Sequence, residues 1–415
     1  MSKKLICHAA ELVTCAGIAP KHGAKMADIG LIRDGAVLID GDKIEAVGTT
    51  QALLKQYGNT DCEIIDATGK VVLPGFVDSH THFVFGGYRA DEFSWRLRGD
   101  SYMSIMERGG GINASVSMTR QASLEELVEA GRDRLATMLE FGVTTVEGKS
   151  GYGLDKETEL KQLRAMKALN DAQPVDIVPT FMGPHSVLPE YKGHEREFLD
   201  MLIRDVVPVV KAENLAEFAD IFTEKNVFSI EDSRYYLNEV KKMGFKLKIH
   251  ADEMVQLGGA ELAAEVGTVS ADHLLQASDK GIADMAKVGV IGTMLPATAF
   301  CLKEEFARAR KMIDEGMAVA IASDLNPGSC FTNSIPLLIA LSCIYMHLSI
   351  EEVITALTIN GAAAVGRADR IGSIEPGKQA DIIFLKYPSI HFLPYHTAVN
   401  LVQNVMKNGE IVLSR

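Results

Sequence analysis

Pro74-Gly75-Phe76-Val77-Asp78-Ser79-His80-Thr81-His82-Phe83 decides how the rest of the chain is read. Gly75-Phe-Val-Asp is a short apolar strand candidate that ends in polar residues. Alternate residues of an extended chain share a face, so His80 and His82 present two imidazoles side by side. Such a pair suits a metal, although two histidines after a strand can equally be surface residues. A metal needs further ligands, and these must come from other strand ends.

Strand-like and helix-like segments alternate downstream of this stretch. Further strand candidates begin at Val143, Val175, Phe218, Phe245, Thr268, Val290 and Val319. Helix candidates lie between them over 124–141, 158–169, 198–210, 233–243, 258–266, 281–288 and 303–315, with Leu124, Leu127, Val128, Leu135, Met138 and Leu139 near helical spacing in the first. Eight strands alternating with helices over roughly 250 residues predict an α/β chain with a (β/α)8 TIM-like barrel. An open doubly wound sheet is the alternative, but no glycine-rich phosphate loop follows the first strand.

Both ends of the chain read as β structure. Val37-Leu-Ile-Asp, the Gly41-Asp42 turn and Lys43-Ile-Glu-Ala-Val-Gly form one hairpin. Val402 to Met406, Asn408-Gly409 and Glu410-Ile-Val-Leu form another. We therefore expect residues 1–73 plus 366–415 to build one composite β-sandwich domain, and residues 74–365 to form the barrel.

Three more polar residues close strand candidates: His250, His273 and Asp324. Barrel enzymes place their chemistry at the C-terminal ends of the strands. Counted along the chain, these residues sit on strands five, six and eight, and closure makes the eighth strand a neighbour of the first. Three histidines and a carboxylate suit a borderline divalent metal with one open position. Glu253, three residues past His250, is within reach of that position or is a carboxylate at a helix N-terminus.

Composition narrows the partners. The net charge of −13 disfavours nucleic acid and anionic membranes, while 47% hydrophobic residues exclude wholesale disorder. No apolar run has the length of a signal peptide or a membrane span. Six scattered cysteines without a CxxC pair read as free thiols of a reduced, cytoplasmic protein.

These motifs resemble the amidohydrolase superfamily and, within it, the imidazolonepropionases of histidine degradation. The resemblance spans nearly the whole chain. It rests on Glu147-Gly-Lys-Ser-Gly-Tyr-Gly, His250-Ala-Asp-Glu, Ser270-Ala-Asp-His, Leu295-Pro-Ala-Thr-Ala-Phe and Ser323-Asp-Leu-Asn-Pro-Gly-Ser, of which Lys149-Ser-Gly-Tyr-Gly and Asp324-Leu-Asn-Pro-Gly-Ser are the narrow ones. It implies one Zn or Fe ion on His80, His82, His250 and Asp324. It further implies that Arg89, Tyr102, Tyr152, His185, Glu253, Asn326, Gly328 and Ser329 line the site of a small anionic heterocycle.

The expected reaction is hydrolysis of 4-imidazolone-5-propionate to N-formimidoyl-L-glutamate by a metal-activated water. His273 and Asp324 are expected to act on the water and Glu253 on the ring nitrogens, with His185 or His273 as donor to the carbonyl oxygen. Arg89 offers a planar fork for the carboxylate tail. Lys149 follows the second strand and is read as structural or paired with Glu147, which keeps the site mononuclear. Gly109-Gly110-Gly111 reads as a loop able to close over the site, or as a plain linker. The competing reading is a heterocycle or nucleobase deaminase on the same scaffold. A homodimer is expected.

Overall fold

The structure, a computed structural model, describes residues 3–58, 61–100, 104, 108 and 110–415. Tyr102 and Gly109 lie outside the described residues.

Eight parallel strand positions follow one another around the barrel. They are Phe76–Asp78, Val143–Lys149, Asp176–Phe181, Phe218–Ala219 continued by Phe222–Thr223, Lys246–Ala251, Ser270–His273, Ile291–Met294 and Val319–Ile321. Each pairs in parallel with the next. Their β-branched content suits strands buried on both faces, and all seven residues of Val143–Lys149 are buried.

The ends of this row meet. The Asp324 N–H donates to the His80 carbonyl at 3.0 Å, and the His82 N–H donates to the Leu325 carbonyl at 2.9 Å. The Asp78 carboxylate reinforces the seam by accepting from the Ser323 N–H at 2.9 Å and its hydroxyl at 2.6 Å. Outside the seam, Gly361 of the helix Ile359–Ala364 rests on the first strand so closely that a Cβ would come within 2.9 Å of the Val77 carbonyl.

Most expected helices are present, with ends set by local chemistry. Leu124–Glu140 opens on a Ser123–Glu126 capping box. Two expectations need correction. In place of one helix over 303–315, a helix Pro296–Leu302 ends before that stretch and a second forms only over Ala309–Asp314. Proline starts the first, where its missing N–H costs nothing, and Lys303 at φ +60° ends it. The helix expected over 198–210 passes through a π turn, Leu202–Val206, just before Pro208, which has no N–H to continue the α ladder.

Both termini enter a second, eight-stranded sheet. Its central strand, Lys3–Val13, is the longest in the chain and had no distinguishing mark in the sequence. It pairs with Leu31–Asp40, Cys62–Asp66 and Val71–Pro74, while Ile382–Leu385 pairs with Val71–Pro74 and so joins the C-terminal hairpin to the N-terminal strands. That hairpin turns at Asn408 and Gly409 with φ of +52° and +77°, the left-handed pair of a tight type I′ turn. Ile6, Leu12, Val37, Val72, Ile382, Phe384 and Met406 share a core of their own. The small domain thus draws on both ends of the chain.

Closure of the barrel should depend on Asp78. Asp78→Ala leaves the buried Ser323 N–H and hydroxyl without their acceptor and should cost about 2 to 4 kcal/mol of stability in urea unfolding. Ser323→Ala, which keeps the N–H bond, should cost clearly less.

Candidate active site

The first strand delivers His80 and His82, the fifth His250, the sixth His273, and the turn after the eighth Asp324, all at most 3% exposed. His273 and Asp324 are held at φ +74° and +50°, left-handed conformations that strain an ordinary residue. In the sixth strand Asp272 continues the inward face begun by Ser270. The left-handed turn at His273 ends that alternation, allowing two adjacent residues to serve one site.

The imidazoles crowd together. Ring centroids of His80 and His250 lie 4.5 Å apart, those of His250 and His273 5.1 Å, and His82 stacks on His185 at 4.7 Å. Asp324 Oδ1 is 3.5 Å from His80 Nε2 and 4.0 Å from His82 Nε2. Two ligands about 2.1 Å from a tetrahedral ion would stand about 3.4 Å apart, so the donor spacing fits a divalent metal. His80 Nε2, His82 Nδ1 and both His250 nitrogens are buried without a hydrogen-bond partner among the described residues, and each neutral ring has one lone pair to offer a cation. His80 and His250 also group with His273, and His82 and His250 with His185.

Beneath the histidines lies a layer of buried charge, of which the sequence reading had only the Lys149–Glu147 pair. Asp272 Oδ2 accepts from His80 Nδ1 at 2.7 Å, which turns Nε2 toward Asp324. Asp220 Oδ2 lies 3.1 Å from His250 Nδ1. Lys149 Nζ reaches Asp220 at 2.7 Å, Glu147 at 3.1 Å and Asp272 at 3.4 Å. Lys248 Nζ contacts the other oxygen of Glu147 at 2.7 Å. Burial opposes the charge on Lys149, but Asp220, Glu147 and Asp272 hold its pKa above the usual value. Burial likewise opposes ionisation of Asp272, yet Lys248 and Lys149 hold it down at about 2. Strand alternation was the available signal: Lys248 is two residues before His250, and Glu147 two before Lys149.

Around the opening stand His82, Tyr152, His185, Phe222, His250, Glu253, His273, Asp324, Asn326 and Ser329. Phe222 was not foreseen. Tyr152 is a buried wall whose ring centroid is 5.2 Å from that of His185. Burial pushes Glu253 up to about 8, aided by the nearby Asp324, and brings His185 and His273 down to about 4. His185 Nδ1 is 3.0 Å from the Gly151 carbonyl, which can only accept. Neutral His185 therefore carries its proton on Nδ1 and offers Nε2 as an acceptor. This counts against His185 as the donor to a carbonyl oxygen.

Glu253 does not sit at a helix N-terminus. The next helix begins at Gly259, and Asp252 takes the N–H groups of Leu257, Gly258, Gly259 and Ala260. Thr298, also unforeseen, donates to Asp324 Oδ2 at 2.7 Å and fixes the carboxylate. Asn326 builds its own loop, accepting from the Gly328 and Ser329 N–H groups at 2.8 Å each.

Arg89 does not line that opening. Its Nε and Nη2 donate to Glu92 at 2.9 and 2.7 Å, and Nη1 lies against Gly328, where a Cβ would come within 2.4 Å. Glu92 also accepts from the Gly111 N–H at 3.0 Å, which ties this rim to the glycine loop. A larger cavity of about 570 Å³ opens at the other end of the barrel, among Thr145, Asp176, Glu217, Arg367 and Gln379, and none of the site residues lines it.

Residues 71–412 match the Amidohydrolase family, and residues 35–58 match an imidazolonepropionase-like composite domain of bacteria. The chain is 57% identical over 411 residues to the imidazolonepropionase of Clostridium tetani, covering 99% of this chain and 98% of that one. It is also 57% identical over 412 residues to that of Parabacteroides distasonis, covering 99% of each. Among solved structures, a Zn-bound adenosine deaminase from Xanthomonas campestris superposes with a TM-score of 0.72 at 19% identity, over 100% of this chain and 93% of that one. An atrazine chlorohydrolase from Arthrobacter aurescens complexed with zinc gives 0.72 at 17% identity, over 99% and 95%. At such identities the structural likeness speaks for the fold alone.

The carboxylate behind His80 should matter to metal affinity. Asp272→Asn keeps the shape but weakens the hold on His80 Nδ1–H, and metal affinity measured by competitive chelation should fall about 10- to 100-fold. Unchanged affinity would show that Asp272 only balances charge.

Proposed function

Because the chain belongs to the amidohydrolase family, and within it to the imidazolonepropionases, we propose that it hydrolyses 4-imidazolone-5-propionate to N-formimidoyl-L-glutamate in histidine degradation. The observation that carries this reading is the 57% identity with imidazolonepropionases over 99% of the chain. The reaction adds one water across the ring amide. The carbonyl carbon becomes a carboxylate, the C–N bond breaks, and the departing nitrogen takes a proton.

His80, His82, His250 and Asp324 would hold the metal. When bound, the ion supplies Lewis acidity that acidifies water at neutral pH. His273, neutral at pH 7, takes the water's proton while Asp324 orients the water, and after the ring opens that proton passes across the 3.6 Å to Glu253 and restores both groups. His273 then has a proton to donate to the developing oxyanion, a role the tautomer of His185 disfavours. His185 Nε2 instead accepts from a ring N–H. Glu253, with its pKa near 8, is protonated at neutrality and delivers a proton to the leaving ring nitrogen. Tyr152 and Phe222 flank the flat ring. Arg89, supported by Glu92, presents its Nη1 edge beside Gly328 and Ser329 to the propionate carboxylate.

The wider reading follows the same line. The ion is zinc or iron, and the chain works as a homodimer in the cytoplasm with neither nucleic acid nor membrane as partner. The net charge of −13 supports the exclusion of polyanions, and no helix among the described residues is long and apolar enough to cross a membrane. Residues 1–73 plus 366–415 form the composite domain and 74–365 the catalytic barrel. The two sheets, with strands from Lys3 to Pro74 and Ile382 to Ser414 in one and Phe76 to Ile321 in the other, support that division.

Freshly prepared imidazolonepropionate should gain one water by mass spectrometry and release no ammonia. Stoichiometric ammonia from an aminopyrimidine or purine, without turnover of imidazolonepropionate, would place the chain among deaminases instead. His273→Ala and Glu253→Gln should each lower kcat by roughly 10²- to 10⁴-fold while keeping the metal, and a fully active variant would remove that residue from the mechanism. Arg89→Met should lower kcat/KM for the acid by at least about tenfold yet spare an uncharged ester of the same tail, since a charged hydrogen bond is worth roughly 1.5 to 3 kcal/mol. Equal losses on both substrates would make Arg89 structural.

A further inference from the structure

The loop after the second barrel strand leaves the sheet while still inside the protein. The strand ends at Lys149, and Gly151, Tyr152, Gly153 and Leu154 are all buried. Their successive N–H groups need acceptors that no strand partner supplies. Two side chains of the next helix, Lys156–Ala172, take all of them. Glu159 Oε2 accepts from the Gly151 N–H at 3.1 Å, and Oε1 accepts from the Gly153 and Leu154 N–H groups at 2.8 and 2.9 Å. Gln162 Oε1 accepts from the Tyr152 N–H at 3.1 Å. Glu159 and Gln162, spaced i and i+3, share one helix face, and both are fully buried. Burial raises the Glu159 pKa, and hydrogen bonds with Ser150 and with the Leu154 and Gly153 N–H groups oppose that rise.

This clamp reaches the site through one peptide group. The peptide joining Gly151 to Tyr152 gives its N–H to Gln162, and its carbonyl lies 3.0 Å from His185 Nδ1. Gly151 stands at φ +113°, and a Cβ there would come within 2.9 Å of His185 Cβ and Nδ1, so the loop and the imidazole meet with no slack. Tyr152 then sets its ring centroid 5.7 Å from that of His82 and 5.2 Å from that of His185. Gln162 Nε2 donates in addition to the Val84 carbonyl at 2.6 Å, two residues past His82. One amide side chain therefore ties together the segments that leave the first and second strands.

We propose that Glu159 and Gln162 are positioning residues for the hydrolysis: they fix the peptide between Gly151 and Tyr152, and through it the place of the Tyr152 ring and the nitrogen on which His185 carries its proton. The role of these two rings rests on the reaction proposed above. With the carbonyl held in place, His185 keeps its proton on Nδ1 and turns the Nε2 lone pair to a ring N–H of the substrate. With the carbonyl displaced, Nδ1 loses its acceptor, and the form protonated on Nε2 meets that N–H donor to donor.

Two variants test this. Glu159→Gln keeps the size of the side chain and an oxygen for Gly153 and Leu154, but turns an NH2 group toward the Gly151 N–H. Gln162→Met removes the acceptor of the Tyr152 N–H and the donor to Val84. The first readout is the His185 tautomer, taken from nitrogen NMR of zinc-loaded, 15N-histidine-labelled protein. The parent should show the proton on Nδ1, and both variants should gain the Nε2-protonated form. The second readout is kinetic. Tyr152 and His185 hold the ring alike before and during reaction, so KM for imidazolonepropionate should rise roughly tenfold while kcat stays near the parental value. A merely structural clamp would instead lower the yield of folded, zinc-loaded enzyme and leave both KM and the tautomer as in the parent. A proton that stays on Nδ1 in both variants would overturn the proposal, as would an unchanged KM in both. Should one variant fail to fold, the other carries both readouts, and failure of both would mark the clamp as structural and overturn it too. If the parent did not turn over imidazolonepropionate, the proposed reaction would fall, and the tautomer alone would decide whether Glu159 and Gln162 position His185.

Discussion

The seam between the first and last barrel strands is the constraint on which the site depends. His80 and His82 leave the first strand, and Asp324 leaves the eighth, separated by most of the chain. Backbone hydrogen bonds from Asp324 to His80 and from His82 to Leu325 align the two strand ends. The Asp78 carboxylate, clamped on Ser323, sits one layer below. The same alignment that closes the barrel therefore sets the spacing of 3.5 to 4.0 Å between the imidazole nitrogens and the carboxylate.

A second constraint lies under His80 and His250. Three carboxylates, Glu147, Asp220 and Asp272, share the barrel interior with two ammonium groups, Lys149 and Lys248. Buried charges of one sign would repel and be poorly solvated, so each set needs the other. Lys248 and Lys149 keep Asp272 ionised against His80, while burial raises the pKa of Asp220 beside His250. Rotamers of metal ligands are commonly set this way, by hydrogen bonds to the nitrogen that the metal does not use. Lys149 lies among Glu147, Asp220 and Asp272 and neutralises part of their charge.

Much of this was legible in the chain. Short apolar runs with β-branched residues marked every barrel strand, and a polar residue after several of them marked the site. Legibility ended where the deciding contact was not local. Nothing in Lys3–Val13 distinguishes it from a shorter strand, because its length is justified only by the three strands that pair with it. The break between Leu302 and Ala309 depends on a left-handed Lys303 that periodicity does not reveal. Glu253 and Asp252 are adjacent acids, and only the fold shows that Asp252 serves the helix N-terminus and leaves Glu253 for the pocket.

The sequence by itself determined the fold class, the two β-rich ends, and the residue types gathered at the strand ends, since residue type and strand period are local properties. The tertiary structure decided which nitrogen of His80 and of His185 faces the opening, and that Thr298, Asp220 and Asp272 serve the site. Those choices rest on hydrogen bonds between residues 26 to 192 positions apart, and on desolvation that moves Glu253 toward neutrality. Neither is encoded in any short window of the chain, because both arise only when the eighth strand meets the first and water is excluded from the space between them.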